Sequence, residues 1–174
     1  MNKSFWIYLA GLIDGDGCFT ISMSTSRGKS GGISLSPHIR IAIKENDARF
    51  LEEMCDECGY GKIYYSNKGK PNGICSWQTT NISDSLSVAQ RVYPFLHIKK
   101  DKCKKFIDIS KYYRNTFNPK TGYRKKDRRL RKNKEMKKII KVACELNYDR
   151  QTNRYRNKKG FDYWSKLIDE WYPD

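Results

Sequence analysis

Thirteen residues near the N-terminus constrain this chain more than any others: Phe5-Trp6-Ile7-Tyr8-Leu9-Ala10-Gly11-Leu12-Ile13-Asp14-Gly15-Asp16-Gly17. The first nine are uncharged and apolar nearly all round, so a helix built from them must be buried on most sides. Ser4 precedes them as a candidate cap. The period then changes at once, because Phe19, Ile21 and Met23 alternate with Thr20, Ser22, Ser24 and Ser26, the pattern of a half-buried strand.

The same two periods recur downstream. After an Arg27-Gly28-Lys29-Ser30-Gly31-Gly32 loop, Ile33, Leu35, Ile39, Ile41 and Ile43 share one face, and Ser34, Ser36, His38 and Arg40 the other, which completes a hairpin. From about Asn46 to Cys58 the spacing of Phe50, Leu51, Met54 and Cys58 is helical, and Gly59 stands where a helix stops. A strand over Lys62 to Ser66 and another from Ile74 to Ile82 predict a second hairpin. Ser83 caps a third helix carrying Leu86, Val88, Ala89, Val92 and Tyr93, and a fourth runs from about Lys100 to Tyr113. Four strands with one polar face each predict an α+β domain: a four-stranded antiparallel sheet with helices on one side. Beyond Asn115 the pattern weakens until Phe161, Trp164, Leu167, Ile168 and Trp171 restore a helical stripe.

Charge narrows the class of partner. Thirty-five Lys and Arg against 19 Asp and Glu leave a formal +16, suited to a polyanion, and nucleic acid is the first candidate. No apolar run approaches the ~20 residues of a spanning helix, and no charged-then-apolar leader opens the chain, so a soluble, unexported, intracellular protein with no membrane partner is expected. Six cysteines in such a chain are read as small buried apolar residues rather than disulfides. Cys55-x-x-Cys58 has metal-ligand spacing but no second pair to complete a zinc set, which leaves structural zinc as the lesser reading.

Chemistry concentrates at Asp14-Gly15-Asp16-Gly17. Two carboxylates one residue apart, at the end of a buried helix, can hold a hard divalent cation such as Mg²⁺ together with phosphate oxygens and water. The same tetrapeptide is also a common solvated turn.

Leu9-Ala10-Gly11-Leu12-Ile13-Asp14-Gly15-Asp16-Gly17 resembles the LAGLIDADG motif of homing endonucleases at every position but one, Gly15 replacing an alanine. The resemblance implies a saddle-shaped sheet in a helix-hairpin-helix-hairpin-helix (αββαββα) fold. It implies a core over residues 1–115 and a basic extension with further helices over 116–174 of the same domain. It implies double-stranded DNA as partner, Asp16 and the Gly15 carbonyl as metal ligands, and a homodimer, since only one motif is visible. Leu9, Ala10, Gly11 and Ile13 would meet their twins across that interface. Pro94-Phe95-Leu96-His97-Ile98-Lys99 matches the segment that delivers the family's active-site lysine, so Lys99 would stabilise the scissile phosphate or position water; the bland alternative is an ordinary exposed lysine. Glu45 matches a residue that holds solvent near the metal, and would otherwise be a carboxylate favoured by a helix start. Asp47 and Arg49 compete for one further basic position.

On this reading the polar strand residues contact DNA bases: Thr20, Ser22, Ser24, Ser26, Lys29, Ser36, His38, Arg40, Lys62, Tyr64, Ser66, Ser76 and Gln78. Arg40 or Lys62 suits guanine and Gln78 adenine. Between Lys120 and Lys141, 12 of 22 residues are Lys or Arg, suited to sequence-independent phosphate contact. The competing readings are a protein of this fold that binds without cutting, such as a maturase acting on its own intron RNA, and a basic ribosome-associated protein.

Overall fold

The computed structural model describes residues 2–26, 32–114, 133–149, 154–155 and 159–171. They form two compact units, Met1–Thr20 with Pro37–Ser110, and Ile21–Ser36 with Lys111–Asp174. Lys29, residues 120–132 of the basic run and the side chain of Ser26 lie outside the described set.

Helix α1, Lys3–Gly15, leads into strands β1, Gly17–Ser26, and β2, Gly32–Lys44. The cap is Asn2 rather than Ser4: its side chain accepts the Ser4 amide at 3.4 Å, because Ser4 already lies inside the first turn. After a single 3₁₀ turn, Glu45–Asp47, helix α2 spans Ala48–Cys58 and ends on Gly59, whose φ of 66° is the left-handed conformation glycine tolerates. Strands β3, Lys62–Ser66, and β4, Ile74–Gln78, follow. The sheet order is β1-β2-β4-β3, with β4 antiparallel to both neighbours, so the four-stranded sheet and flanking helices match the expected α+β architecture.

β4 stops four residues short of the expected Ile82. Thr79 leaves the ladder but still pairs with β2, donating its amide to the Ile39 carbonyl at 3.1 Å and accepting the Ile39 amide on Oγ1 at 2.9 Å. Asn81, not Ser83, then caps helix α3, Ile82–Val92, by accepting the Asp84 amide at 2.9 Å. A 3₁₀ turn, Tyr93–Phe95, leads to helix α4, Lys100–Arg114.

In the first unit Trp77, Leu9, Ile13, Ile39, Ile41, Leu51 and Phe106 are fully buried. Cys58, Cys75 and Cys103 fill gaps beside them as free thiols. Burial pushes the Cys58 thiol up to about 11 and raises Cys55, so both stand as protonated thiols in the free chain at neutral pH.

The second unit contains helices α5, Asn133–Asn147, and α6, Phe161–Trp171, and a minimal ladder of β5, Tyr148–Asp149, with β6, Arg154–Tyr155. Met136, Ile140, Cys144, Trp164 and Ile168 form its core with Ile21, Ile33 and Leu35. β1 is a sheet edge, a liability when left open. Here buried Asn147 closes it at Ile21, accepting the amide at 3.1 Å and donating to the carbonyl at 2.7 Å.

Candidate active site

The end of α1 brings two backbone features to one place. Gly17 packs so tightly on the helix that an added Cβ would come within 2.6 Å of the Ile13 Cα, so only glycine lets the strand start there. Asp16 is the helix C-cap, at φ −104° and ψ −8°, with its amide donating to Leu12 at 2.8 Å. Its side chain is exposed and makes no hydrogen bond among the described residues.

Asp14 is used differently. Its carboxylate accepts the amides of His97 at 2.7 Å, Ile98 at 3.1 Å and Lys99 at 2.8 Å, just ahead of α4. Burial would push this carboxyl up; those three amides and the nearby Lys99 charge outweigh it and hold the group below its ordinary value. The first turn of α4 follows His97-Ile98-Lys99, which contains no Ser, Thr, Asn or Asp to cap it. That missing local cap is the signal that a carboxylate arrives from elsewhere in the chain.

Lys99 is delivered to the site, but not as a free cation. Its ammonium donates to the carbonyls of Ile13 at 2.8 Å, Gly15 at 3.0 Å and Gly17 at 2.9 Å, using all three of its hydrogens. A cation on the last carbonyls of a helix is also favoured by the macrodipole. Burial holds this ammonium below the ordinary lysine range, against the opposing pull of Asp14, Cys18 and Asp16. The Gly15 carbonyl, one of the two expected metal ligands, is therefore already a partner of Lys99.

The other expected residues are placed as follows. Glu45 is tied to a loop: its carboxylate accepts the Gly69 amide at 2.9 Å, its own amide donates to Gly73 at 3.0 Å, and no described contact brings it to Asp16. Arg49 pairs with Glu53 at 2.9 Å on the exposed side of α2. Leu9, Ala10 and Ile13 do not lie on an outward face of α1; all three are fully buried in the chain's own core. An apolar run on all sides hides which side faces in. The exposed side carries Ser4, Ile7, Tyr8, Gly11 and Gly15, with Ile7 49% and Tyr8 52% exposed. A Cβ at Gly11 or Gly15 would meet nothing within 4 Å, so nothing among the described residues requires glycine at either position.

The polar face of the sheet is largely as expected in the first unit. Register places Arg40, Gln78 and Lys62 in one row across β2, β4 and β3, then Ala42, Ser76 and Tyr64, then Lys44, Ile74 and Ser66. No carboxylate stands among these nine positions. Lys44 and Ile74 belong to this face and were not anticipated; the alternation counted outward from Arg40 would have found Lys44. Ser76 is only 3% exposed because it lies between Ala42 and the larger Tyr64, and its Oγ turns to the Tyr64 carbonyl at 3.4 Å. Thr20 is 8% exposed, with its hydroxyl on the Cys18 sulfur at 3.4 Å. Both are therefore withdrawn from the presented set. His38 is half-buried, and in the second unit Ser22, Ser24 and Ser36 are exposed.

Among the described residues no three His, Cys, Asp or Glu side chains gather as a metal centre. One chain offers a cation a single free carboxylate, Asp16, and a carbonyl shared with Lys99. The donors are hard oxygens, as Mg²⁺ prefers, but fewer than it needs without phosphate, water or a second chain.

Comparison with known proteins places these residues in context. The family described as LAGLIDADG endonuclease matches residues 9–113, from the middle of α1 to the end of α4. The DNA endonuclease I-CreI of Chlamydomonas reinhardtii is 26% identical over 108 residues, which cover 62% of this chain and 63% of that relative's length. Among solved structures, the homing endonuclease I-CvuI in complex with its target superposes with a TM-score of 0.75 at 13% identity, covering 97% of this chain and 95% of that one. The archaeal intron-encoded homing endonuclease I-Vdi141I complexed with DNA gives 0.70 at 22% identity, with 98% of each chain covered. At these identities the two structures establish the shared fold.

Proposed function

Because the chain belongs to the LAGLIDADG endonuclease family, we propose that it is a site-specific DNA endonuclease. It works as a pair of identical chains, hydrolysing both strands of a long, roughly palindromic target with Mg²⁺. The observation that carries this reading is the division of labour at the end of α1: Asp16 is left exposed and unbonded while Asp14 and Lys99 are fully engaged in building the place where it stands.

The exposed side of α1 supports the pairing. Ile7 and Tyr8 leave apolar surface in water, and Gly11 and Gly15, free of any requirement among the described residues, would let a second α1 approach closely. A two-fold contact there sets two copies of Asp16 near one another and gives the cation the second carboxylate that one chain lacks. The interface residues are thus Ile7, Tyr8, Gly11 and Gly15 rather than Leu9, Ala10 and Ile13.

A divalent cation held by Asp16 and the Gly15 carbonyl would stabilise charge developing on the phosphodiester and activate water. Asp14 fixes the His97–Lys99 backbone and so fixes where the lysine enters. Lys99 places a positive charge beside Asp16, where a phosphate would arrive, and holds the carbonyls of Ile13, Gly15 and Gly17. Arg40, Lys44, Lys62, Tyr64, Ser66 and Gln78 present donors, acceptors and an aromatic edge on a face without carboxylates, suited to base edges and phosphates.

Incubation of the wild type and Asp16→Asn with a randomised duplex library and Mg²⁺, followed by sequencing of the cut ends, tests the reading. One long near-palindromic site cut by the wild type alone is expected. Binding by both proteins with cutting by neither overturns it in favour of a non-cutting nucleic-acid-binding protein.

A further inference from the structure

An open cleft of about 360 Å³ lies on α5 and α6, lined by Asn133, Lys134, Lys137, Lys138, Lys141 and Phe161. We infer that this cleft is a separate phosphate-binding site, taking the backbone of duplex DNA without reading its sequence. The inference rests on the proposed activity for its choice of DNA.

Three features point to a polyanion. The four lysines stand at i, i+3, i+4 and i+7, so they share one helix face, where like charges repel unless something negative lies across them. Asp169 pairs with Lys137 at 2.7 Å and accepts from Asn133 at 2.7 Å, which ties α6 to α5 and commits one lysine to the fold. Lys134, Lys138 and Lys141 remain without an acidic partner among the described residues, and no carboxylate lines the cleft.

Spacing selects a backbone over a single small anion. At ~1.5 Å of rise per residue, Lys134 and Lys141 are ~10.5 Å apart along the helix. One small anion cannot reach all three lysines across that length, whereas a duplex, with ~3.4 Å of axial rise per phosphate on each strand, presents more than one phosphate within it. Lysine binds phosphate as a point charge, and none of the three can accept a hydrogen bond, so together they add affinity and carry no base preference.

The test is equilibrium binding of a fluorescent 30-base-pair duplex of arbitrary sequence, without metal, from 50 to 200 mM KCl. It compares the wild type, Lys134→Gln/Lys138→Gln/Lys141→Gln, and a charge-matched control, Lys3→Gln/Lys104→Gln/Lys111→Gln. At a slope of ~0.9 per phosphate, three lost contacts lower the log–log salt slope by ~2.7 for each chain of the pair whose cleft engages the duplex. The wild type should then lose at least about 40-fold more affinity than the cleft variant across this range. Cleavage specificity should be unchanged, and the control should keep the wild-type slope. A cleft variant with the wild-type slope overturns the inference, as does an equal fall in the control, which makes the effect one of net charge. A loss seen only on duplex RNA of equal length assigns the site to RNA and overturns it as stated. A wild type that never cuts, yet shows the slope difference, overturns the endonuclease reading and leaves the cleft standing.

Discussion

Asp14 in the first unit and Asn147 in the second perform the same physical task. Each spends one side chain on backbone groups far away in sequence: Asp14 accepts three amides at His97, Ile98 and Lys99, and Asn147 satisfies both polar groups of Ile21. They differ in what they hold. Asp14 uses charge, at a half-buried place, to hold the segment that delivers Lys99. Asn147 is neutral and 2% exposed, and it seals a sheet edge. A buried amide with both partners satisfied stabilises without titrating, whereas a carboxylate makes its region respond to pH. The candidate site is thus built on a contact that depends on charge, and the closed sheet edge on one that does not.

Substitutions at these positions separate the two roles. The largest effect is expected at Asp16, whose side chain holds nothing in the fold: Asp16→Asn should lower cleavage by roughly a thousandfold, the worth of several kcal/mol of lost charge stabilisation, and change folding stability by less than the roughly 0.5 kcal/mol usual for surface changes. Turnover and melting measured together check both halves. Asn147→Ala should do the opposite. It strands a buried amide and carbonyl, costs about 2–4 kcal/mol, and lowers the midpoint by roughly 5–15 °C in calorimetry. Unchanged melting would remove Asn147 as a latch.

Asp14→Asn lies between, costing about 1–2 kcal/mol at its partly solvated position and weakening cleavage through a displaced Lys99. The sign of its pH dependence follows from the depressed acidity of Asp14. Its contribution is complete well above the ordinary value of 3.8 and is lost as pH falls through the lower folded value. Urea titrations from pH 6 to 3 should show the stability gap between wild type and Asp14→Asn closing toward acid. A smaller change, of opposite sign, is expected at Gly11. Gly11→Ala should stabilise an isolated chain by about 1 kcal/mol, since the helix gains propensity and the added methyl meets nothing.

How much of this was legible in the sequence depended on range. The switch from helical to alternating period placed α1, β1 and β2, and Gly59 marked the end of α2 through its left-handed φ. Lys62–Ser66 and the start at Lys100 followed from patterns spanning a few residues. The caps were missed by two residues each time, at Asn2 and Asn81, because serine and asparagine compete for that role and only geometry decides. The buried side of α1 was illegible for a stronger reason. Where every position is apolar, no moment distinguishes Leu9 from Tyr8, and packing against α3 and the Tyr93–Phe95 turn makes the choice. Asp16 was readable from the motif, but the engagement of Lys99 with three carbonyls and of Asp14 with three amides are contacts across more than eighty residues. Asn147, at the end of an amphipathic helix, looks like any solvated asparagine until β1 is set against it.

The central claim is that one chain holds half a site, completed by a second copy across the Ile7, Tyr8, Gly11 and Gly15 side of α1. Sedimentation equilibrium of the wild type and Gly11→Trp at micromolar concentration tests it most directly. The account predicts about 41 kDa for the wild type, twice the 20.5 kDa chain, and a folded 20.5 kDa monomer for the variant. A wild type that sediments as a monomer, or a Gly11→Trp protein that remains paired, would contradict it.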